Sequence, residues 1–331
     1  MPNTVNAAFA AFMKDRVNLD AEDTKTARSS ECWLYEQIEK FDEDSTFPAL
    51  CEKYDISFGS FARHTKIRPL DDIDIMSGLN AQGAHYETYS DRIEINVQSE
   101  SNLAPYCFDG THKLNSKKVI NKYLKKLEGV SQYSSAEMKR NGSAAVLNLK
   151  TYDWCFDIVP CFMTKPEGDG RTFYLIPDGN GHWKKTDPRI DRERVRQVNK
   201  AHEGSVLNVI RIIKFWNKRP TMPTMGSYML EAIVLNYYEP RSTAASSFVH
   251  VEIPGILIHI AKAIREPVWD PKNIQGDINN LSADDRKKVS DRAVSDCEKA
   301  IAARTLEING DQKGAISKWA EIFGGDFPIY G

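Results

Sequence analysis

No two of the six cysteines form a CxxC pair: Cys32, Cys51, Cys107, Cys155, Cys161 and Cys297 are scattered, several of them in apolar runs where a thiol packs as a small hydrophobe. A structural zinc site is therefore not expected, and a reducing compartment is. No apolar run approaches membrane-spanning length, and Met1 to Asp20 shows no basic segment followed by an apolar one. The sequence thus predicts a cytoplasmic protein, neither secreted nor transmembrane. An excess of one charge is also missing. Lysine and arginine number 44 against 46 aspartates and glutamates, a net of −2, so no global field favours DNA or an anionic membrane. Any phosphate-binding surface has to be local. Internal repeats and low-complexity segments are absent too.

What is present is core material: 41% of the 331 residues are hydrophobic, enough for one large domain or two of ordinary size. Val5, Phe9, Phe12 and Met13 stand near helical spacing, and a second helical stretch surrounds Trp33 to Phe41. Strands are expected at Asp55 to Phe58, Asp72 to Leu79, Arg92 to Val97 and Tyr152 to Phe162. Asn115 should cap a helix with an apolar stripe of Val119, Ile120, Tyr123, Leu124 and Leu127, stopped at Gly129. Asn141-Gly142 should turn a hairpin, with positive φ at both positions. Residues 164–190, rich in Gly, Pro and Asp, read as a long excursion holding at most a short strand at Phe173 to Ile176. From Asp191 onward the pattern is helical.

Asp72 and Asp74 lie two apart in Asp-Asp-Ile-Asp-Ile-Met, so on a strand both carboxylates face one side. Asp157 lies in Trp-Cys-Phe-Asp-Ile-Val-Pro among core residues, where an uncompensated charge costs several kcal/mol. A divalent cation would compensate it, since magnesium takes oxygen ligands from one or two carboxylates plus substrate phosphates. Taken singly, each aspartate reads as a turn, surface or salt-bridge residue. Together, preceded by a strand ending in Gly59-Ser60 where backbone N–H groups could grip phosphate oxygens, three aspartates on neighbouring strands could hold two such ions.

The run Phe58-Gly-Ser-Phe-Ala-Arg63 through Asp72-Ile-Asp-Ile-Met76 resembles the signature of the polymerase-β-like nucleotidyltransferases, and most closely the bacterial cGAS/DncV-like nucleotidyltransferases. Phe156 to Pro160, Trp183 to Pro188, Arg211 to Trp216 and Gly226 to Glu231 agree, so the likeness spans nearly the whole chain. It implies an α+β fold: a nucleotidyltransferase core of mixed sheet and flanking helices over 1–185, and a helical domain over 186–331 closing the nucleotide cleft, as in cGAS and oligoadenylate synthase. Carried over by position, Asp72 and Asp74 bind two magnesium (or manganese) ions and Asp157 completes one site. Gly59 and Ser60 hold the donor triphosphate, Lys214 and Ser227 reach its β- and γ-phosphates, and Tyr228 stacks on its base, while Arg63 meets either phosphate or solvent.

The expected activity is synthesis of a cyclic di- or trinucleotide signal from ribonucleoside triphosphates, ATP among them, in antiphage defence. Nucleic acid is not required. Expected partners are an operon-encoded regulator or a conjugating enzyme acting at Gly331. The alternatives are a linear oligoadenylate-type or RNA/tRNA nucleotidyltransferase, the latter disfavoured by the charge balance, and a catalytically idle nucleotide-binding scaffold. Between Lys184 and Arg219 eleven basic residues face four acidic ones, which suits a nucleotide-facing surface or a solvated helix face equally.

Overall fold

The computed structural model describes residues 1–331. In chain order its elements are α1 (Val5–Phe12), α2 (Ala21–Glu39), β1 (Ile56–Phe58), α3 (Gly59–Ala62), β2 (Asp72–Gly78), β3 (His85–Thr88) and β4 (Ile93–Asn96). There follow α4 (Ser116–Glu128), β5 (Glu137–Asn141), β6 (Ala144–Asn148), β7 (Cys155–Met163), β8 (Tyr174–Pro177) and β9 (Trp183–Thr186). The helices α5 (Pro188–Ala201), α6 (Val206–Asn217), α7 (Ser227–Tyr238), α8 (Val249–Ala263), α9 (Ala283–Ile308) and α10 (Gln312–Phe323) complete it. The chain divides into two compact units: Ala21–Arg63 with Pro69–Arg189, and Met1–Asp20 with His64–Arg68 and Ile190–Gly331.

The first unit holds one nine-stranded mixed sheet. Its order is β1-β2-β7-β8-β9-β4-β3, with β6 also on β7 and β5 on β6. Only β2 and β7 run parallel; every other pair is antiparallel. Strand alternation divides β2 cleanly. Ile73, Ile75 and Ser77 face one side, where the Ser77 hydroxyl lies 2.9 Å from the hydroxyl of Tyr123 and so fixes α4 against that face. Asp72, Asp74 and Met76 face the other. α4 begins at the Asn115 cap, whose side chain accepts from Lys117 N–H at 3.0 Å, and buries Val119, Ile120, Tyr123 and Leu127. Gly129 ends it with φ of −79°, so the stop is not a left-handed one.

Two local expectations are corrected here. The hairpin turns on Gly142 and Ser143, since Asn141 pairs with Ala144, and only Gly142 takes positive φ, as a II′-type turn requires. The stretch 164–190 is no excursion. β8 and β9 pair with each other, β8 pairs with β7 and β9 with β4, and Phe173, Tyr174, Leu175, Ile176 and Trp183 are buried. β7, β8 and β9 thus form a meander joined by Gly-, Pro- and Asp-rich turns, and that local abundance of turn residues misled.

The second unit is helical. The chain enters it at Ile190 rather than at 186, and Met1–Asp20 belongs to it rather than to the sheet. Aromatic packing accounts for the latter: Phe9 meets the Trp319 ring edge-on at 5.0 Å and Phe12 meets Phe215 at 4.9 Å. Val5 N–H also donates to Gln312 Oε1 at 2.8 Å. α7 is buried from Met229 through Leu235, as a helix apolar on all sides must be. Asp296, fully buried on α9, is satisfied by Trp216 Nε1 at 2.9 Å, Lys299 and Arg292. No helix is long and apolar enough to cross a membrane.

Candidate active site

The sheet face turned away from α4 carries Asp72 and Asp74 on β2 and Cys155 and Asp157 on β7. Register sets Asp72 beside Cys155 and Asp74 beside Asp157. Directly opposed residues of neighbouring strands point the same way from backbones about 4.8 Å apart, so Asp74 and Asp157 share one location and Asp72 stands one pleat away. All three aspartates are half-buried. Farther along this face Ile56, Met76, Val146, Val159, Cys161, Tyr174 and Ile176 form an apolar cluster, and the carboxylates stand where that cluster ends. Phe156 and Ile158, which flank Asp157 in sequence, are fully buried, but on the opposite face. Alternation, not immersion in the core, explains the aspartate's setting.

β1 enters α3 through Gly59, and Phe58 pairs with Asp74 across the strands. Gly59 has φ of +70°, and a Cβ there would stand 1.8 Å from Asp74 Oδ2. Both the backbone conformation and the close approach of the carboxylate therefore exclude a side chain. Ser60 follows on α3. Arg63 closes that helical turn, its N–H donating to Gly59 O at 3.2 Å, and both side chains are half-buried.

Cys155 reports the local field. Burial, then the charges of Asp157 and Asp72, push its thiol up to about 11. Cys155 sits among the carboxylates, with its Sγ 3.3 Å from Asp71 O. No three His, Cys, Asp or Glu side chains are grouped so that they could hold a metal ion between them.

The remaining candidates lie in the helical unit. Lys214 on α6 is 4% exposed and pairs with Glu231 of α7, and its Nζ also donates to Thr65 Oγ1 at 3.3 Å. Thr65 in turn donates to Glu231 Oε1 at 2.9 Å. Ser227 is the exposed first residue of α7, with Gly226 as its N-cap. Tyr228 follows, half-buried, its hydroxyl 2.8 Å from both Asp191 Oδ1 and Asp270 Oδ1 and bonded by Lys272 Nζ. Burial and the two carboxylates drive that phenol far above its ordinary range.

Sequence reasoning missed Glu231, Thr65, Asp191, Asp270 and Lys272. Glu231 had a readable signal, an acid inside Met-Leu-Glu-Ala-Ile-Val, the same anomaly that singled out Asp157. The others are separated by tens of residues and carry no local signal.

No family model matches the chain. It is 40% identical to a probable cyclic nucleotide synthase of Bacillus cereus (strain VD146) over 100% of this chain and 99% of that one. It is 25% identical to a cyclic AMP-AMP-AMP synthase of Acinetobacter sp. over 55% of this chain and 53% of that protein. Among solved structures, CdnC of E. coli MS115-1 with ATP superposes with a TM-score of 0.71 at 16% identity, covering 97% of this chain and 98% of that one. Escherichia coli DncV bound to 3′-deoxy GTP superposes at 0.66 and 14%, covering 98% of each. With full-length identity at that level and the Asp72, Asp74 and Asp157 face in register, the chain belongs to the bacterial cGAS/DncV-like nucleotidyltransferases, the CD-NTases, a family of cyclic nucleotide synthases.

Proposed function

We propose that this nucleotidyltransferase makes a cyclic di- or trinucleotide from ribonucleoside triphosphates, ATP among them, at the Asp72, Asp74 and Asp157 face. The observation that carries the reading is the pairing of Asp74 with Asp157 on parallel strands, with Gly59 pressed against the Asp74 carboxylate. The donor set is all hard oxygen, which suits magnesium or manganese. Because magnesium rests on one or two carboxylates plus substrate phosphates, the side-by-side Asp74 and Asp157 fit it without a third protein ligand. Two such ions, when bound, would lower the pKa of the acceptor hydroxyl and neutralise the leaving pyrophosphate.

Asp72 and Asp74 hold both ions and Asp157 completes one site. Gly59, Ser60 and Arg63 hold the donor phosphates, with the Gly59 backbone free of any side chain that would displace Asp74. Lys214 and Ser227 serve the β- and γ-phosphates and Tyr228 the base. Since Lys214 is engaged by Glu231 and Thr65, its use by phosphate means sharing or exchanging that ion pair. These groups act by positioning and charge neutralisation rather than by covalent chemistry.

The protein is proposed to act in the cytoplasm in antiphage signalling, and its six unpaired cysteines suit a reducing compartment. A CdnC structure in complex with HORMA-deltaN supports a protein partner for this chain, proposed to be an operon-encoded regulator.

The activity is tested by incubating the purified chain with all four ribonucleoside triphosphates and magnesium, treating with phosphatase and resolving the products by mass spectrometry. A phosphatase-resistant cyclic product supports the reading. Phosphatase-sensitive chains would show a linear synthase instead.

A further inference from the structure

The Tyr228 hydroxyl is the centre of a buried ionic network. A phenol has one proton to donate, yet two carboxylates, Asp191 and Asp270, stand 2.8 Å from its oxygen. Lys272 resolves the conflict. Its Nζ lies 3.2 Å from Asp191 Oδ2 and 3.2 Å from Asp270 Oδ1, bonds to the phenol oxygen, and stands 3.9 Å from the centroid of the Tyr228 ring. The lysine is only 3% exposed, so its ammonium has been taken out of water to make these contacts. Charges buried this way add little stability compared with apolar residues of the same volume; what they add is geometric definition.

The lysine's inward path is set by backbone. Val268 to Ile278 forms a closed strap between α8 and α9: Asp270 N–H donates to Gly276 O at 2.8 Å, Ile278 N–H donates to Val268 O at 2.8 Å, and Trp269 bridges Asp277. Asp270 Oδ2 accepts from Ile274 and Gln275 N–H at 3.1 and 3.0 Å, and Oδ1 from Lys272 N–H at 3.3 Å. Asn273 adopts φ of +54° within the strap. Three anchors, Asp191 from α5 and Asp270 and Lys272 from the strap, thus act on one aromatic side chain.

We propose that Asp191, Asp270 and Lys272 are positioning residues that fix the plane of the Tyr228 ring, so that the Val268–Ile278 strap sets nucleotide affinity without touching the reacting atoms. The inference rests on the reading of Tyr228 as the residue that stacks on a nucleobase. With Lys272 and both carboxylates gathered at its hydroxyl end, the ring is held at one angle for a base to stack on. Base–aromatic stacking spans about tenfold to more than a hundredfold in affinity per base, of which ring orientation governs a part.

The test is the nucleotide dependence of product formation by the full chain for Tyr228→Ala, Tyr228→Phe, Lys272→Met and the Tyr228→Phe/Lys272→Met double variant, with thermal unfolding measured for each. Tyr228→Ala should raise KM by about tenfold or more. Tyr228→Phe and Lys272→Met should each raise KM by roughly threefold to tenfold with kcat little changed, and the double variant should be no worse than the worse single one, because both remove the same restraint. Tyr228→Phe leaves every charge in place, so it carries the test alone if Lys272→Met does not fold. Parental KM in folded Tyr228→Phe, alongside a raised KM in Tyr228→Ala, overturns the positioning role and spares the stacking role. Parental KM in Tyr228→Ala overturns the stacking role and the inference with it.

Discussion

A Cβ on Gly59 would lie 1.8 Å from Oδ2 of Asp74, closer than any non-bonded pair of atoms can approach. Gly59→Ala therefore forces the Asp74 carboxylate aside and also places alanine at φ of +70°. The conformational cost is about 1–2 kcal/mol, and displacement of a catalytic group by an ångström costs about a hundredfold in rate. Thermal unfolding and initial rates on the same preparation should show a small loss of stability and a much larger loss of activity.

Cys155 gives a readout of the carboxylates that does not depend on turnover. Its thiol is held up to about 11 by burial and by Asp157 and Asp72, so removing one negative charge lowers it and increases the thiolate fraction at any lower pH. Site-resolved mass spectrometry of iodoacetamide labelling should find Cys155 modified faster in Asp157→Asn than in the parent. Saturating magnesium should accelerate the parent in the same direction. Labelling that is indifferent to both changes would argue that no cation binds beside Cys155.

Lys214 and Glu231 form a buried ion pair, and removing one partner strands the other. Lys214→Met alone should cost about 3–5 kcal/mol. Adding Glu231→Gln, which keeps an acceptor for the Thr65 hydroxyl, should restore most of the stability in chemical denaturation. Activity should stay low in the double variant, because the phosphate ligand is still missing. Recovery of both together would reduce Lys214 to a structural role.

Asp55 predicts a pH dependence of stability. Burial raises its carboxyl to about 6 although Gly78 N–H, donating to Oδ1 at 2.7 Å, pulls it down. The unfolded value is about 3.9, so between the two the folded chain binds the extra proton. This group's contribution therefore improves as pH falls through 6, and its ionised form at neutral pH is the unfavourable one. Asp55→Asn should melt higher than the parent near neutral pH, with the gap closing as pH falls towards about 4. A constant gap would remove Asp55 from the explanation.

The parts of the fold that announced themselves in sequence are those whose signal is local. Asp72 and Asp74 share a face because strands alternate, Asn115 caps a helix through its own side chain, and Gly142 turns a hairpin through its own φ. β8 lies within a residue of the short strand expected at Phe173 to Ile176, whereas β9 was hidden, because beside β8 its ladder partner is β4, some ninety residues earlier. The allegiance of Met1–Asp20 was hidden because its partners are distant: Phe9 and Phe12 reveal a helix, but Trp319 and Phe323, against which they pack, lie 310 and 311 residues away. Asp74 and Asp157, which the register sets side by side, were conspicuous in sequence because charge inside an apolar strand is anomalous. The anchors of Tyr228 were not, because Asp191, Asp270 and Lys272 look like surface residues until the chain brings them together.

The central claim, that the Asp72, Asp74 and Asp157 face performs the transfer, is tested most directly by Asp74→Asn and Asp157→Asn. Each exchanges a carboxylate for an amide of the same shape. Product formation from the four ribonucleoside triphosphates with magnesium should fall below detection in both, while their circular dichroism and melting profiles match a folded chain. Near-parental synthesis by both variants would contradict the assignment and send the search for the reacting centre to another surface.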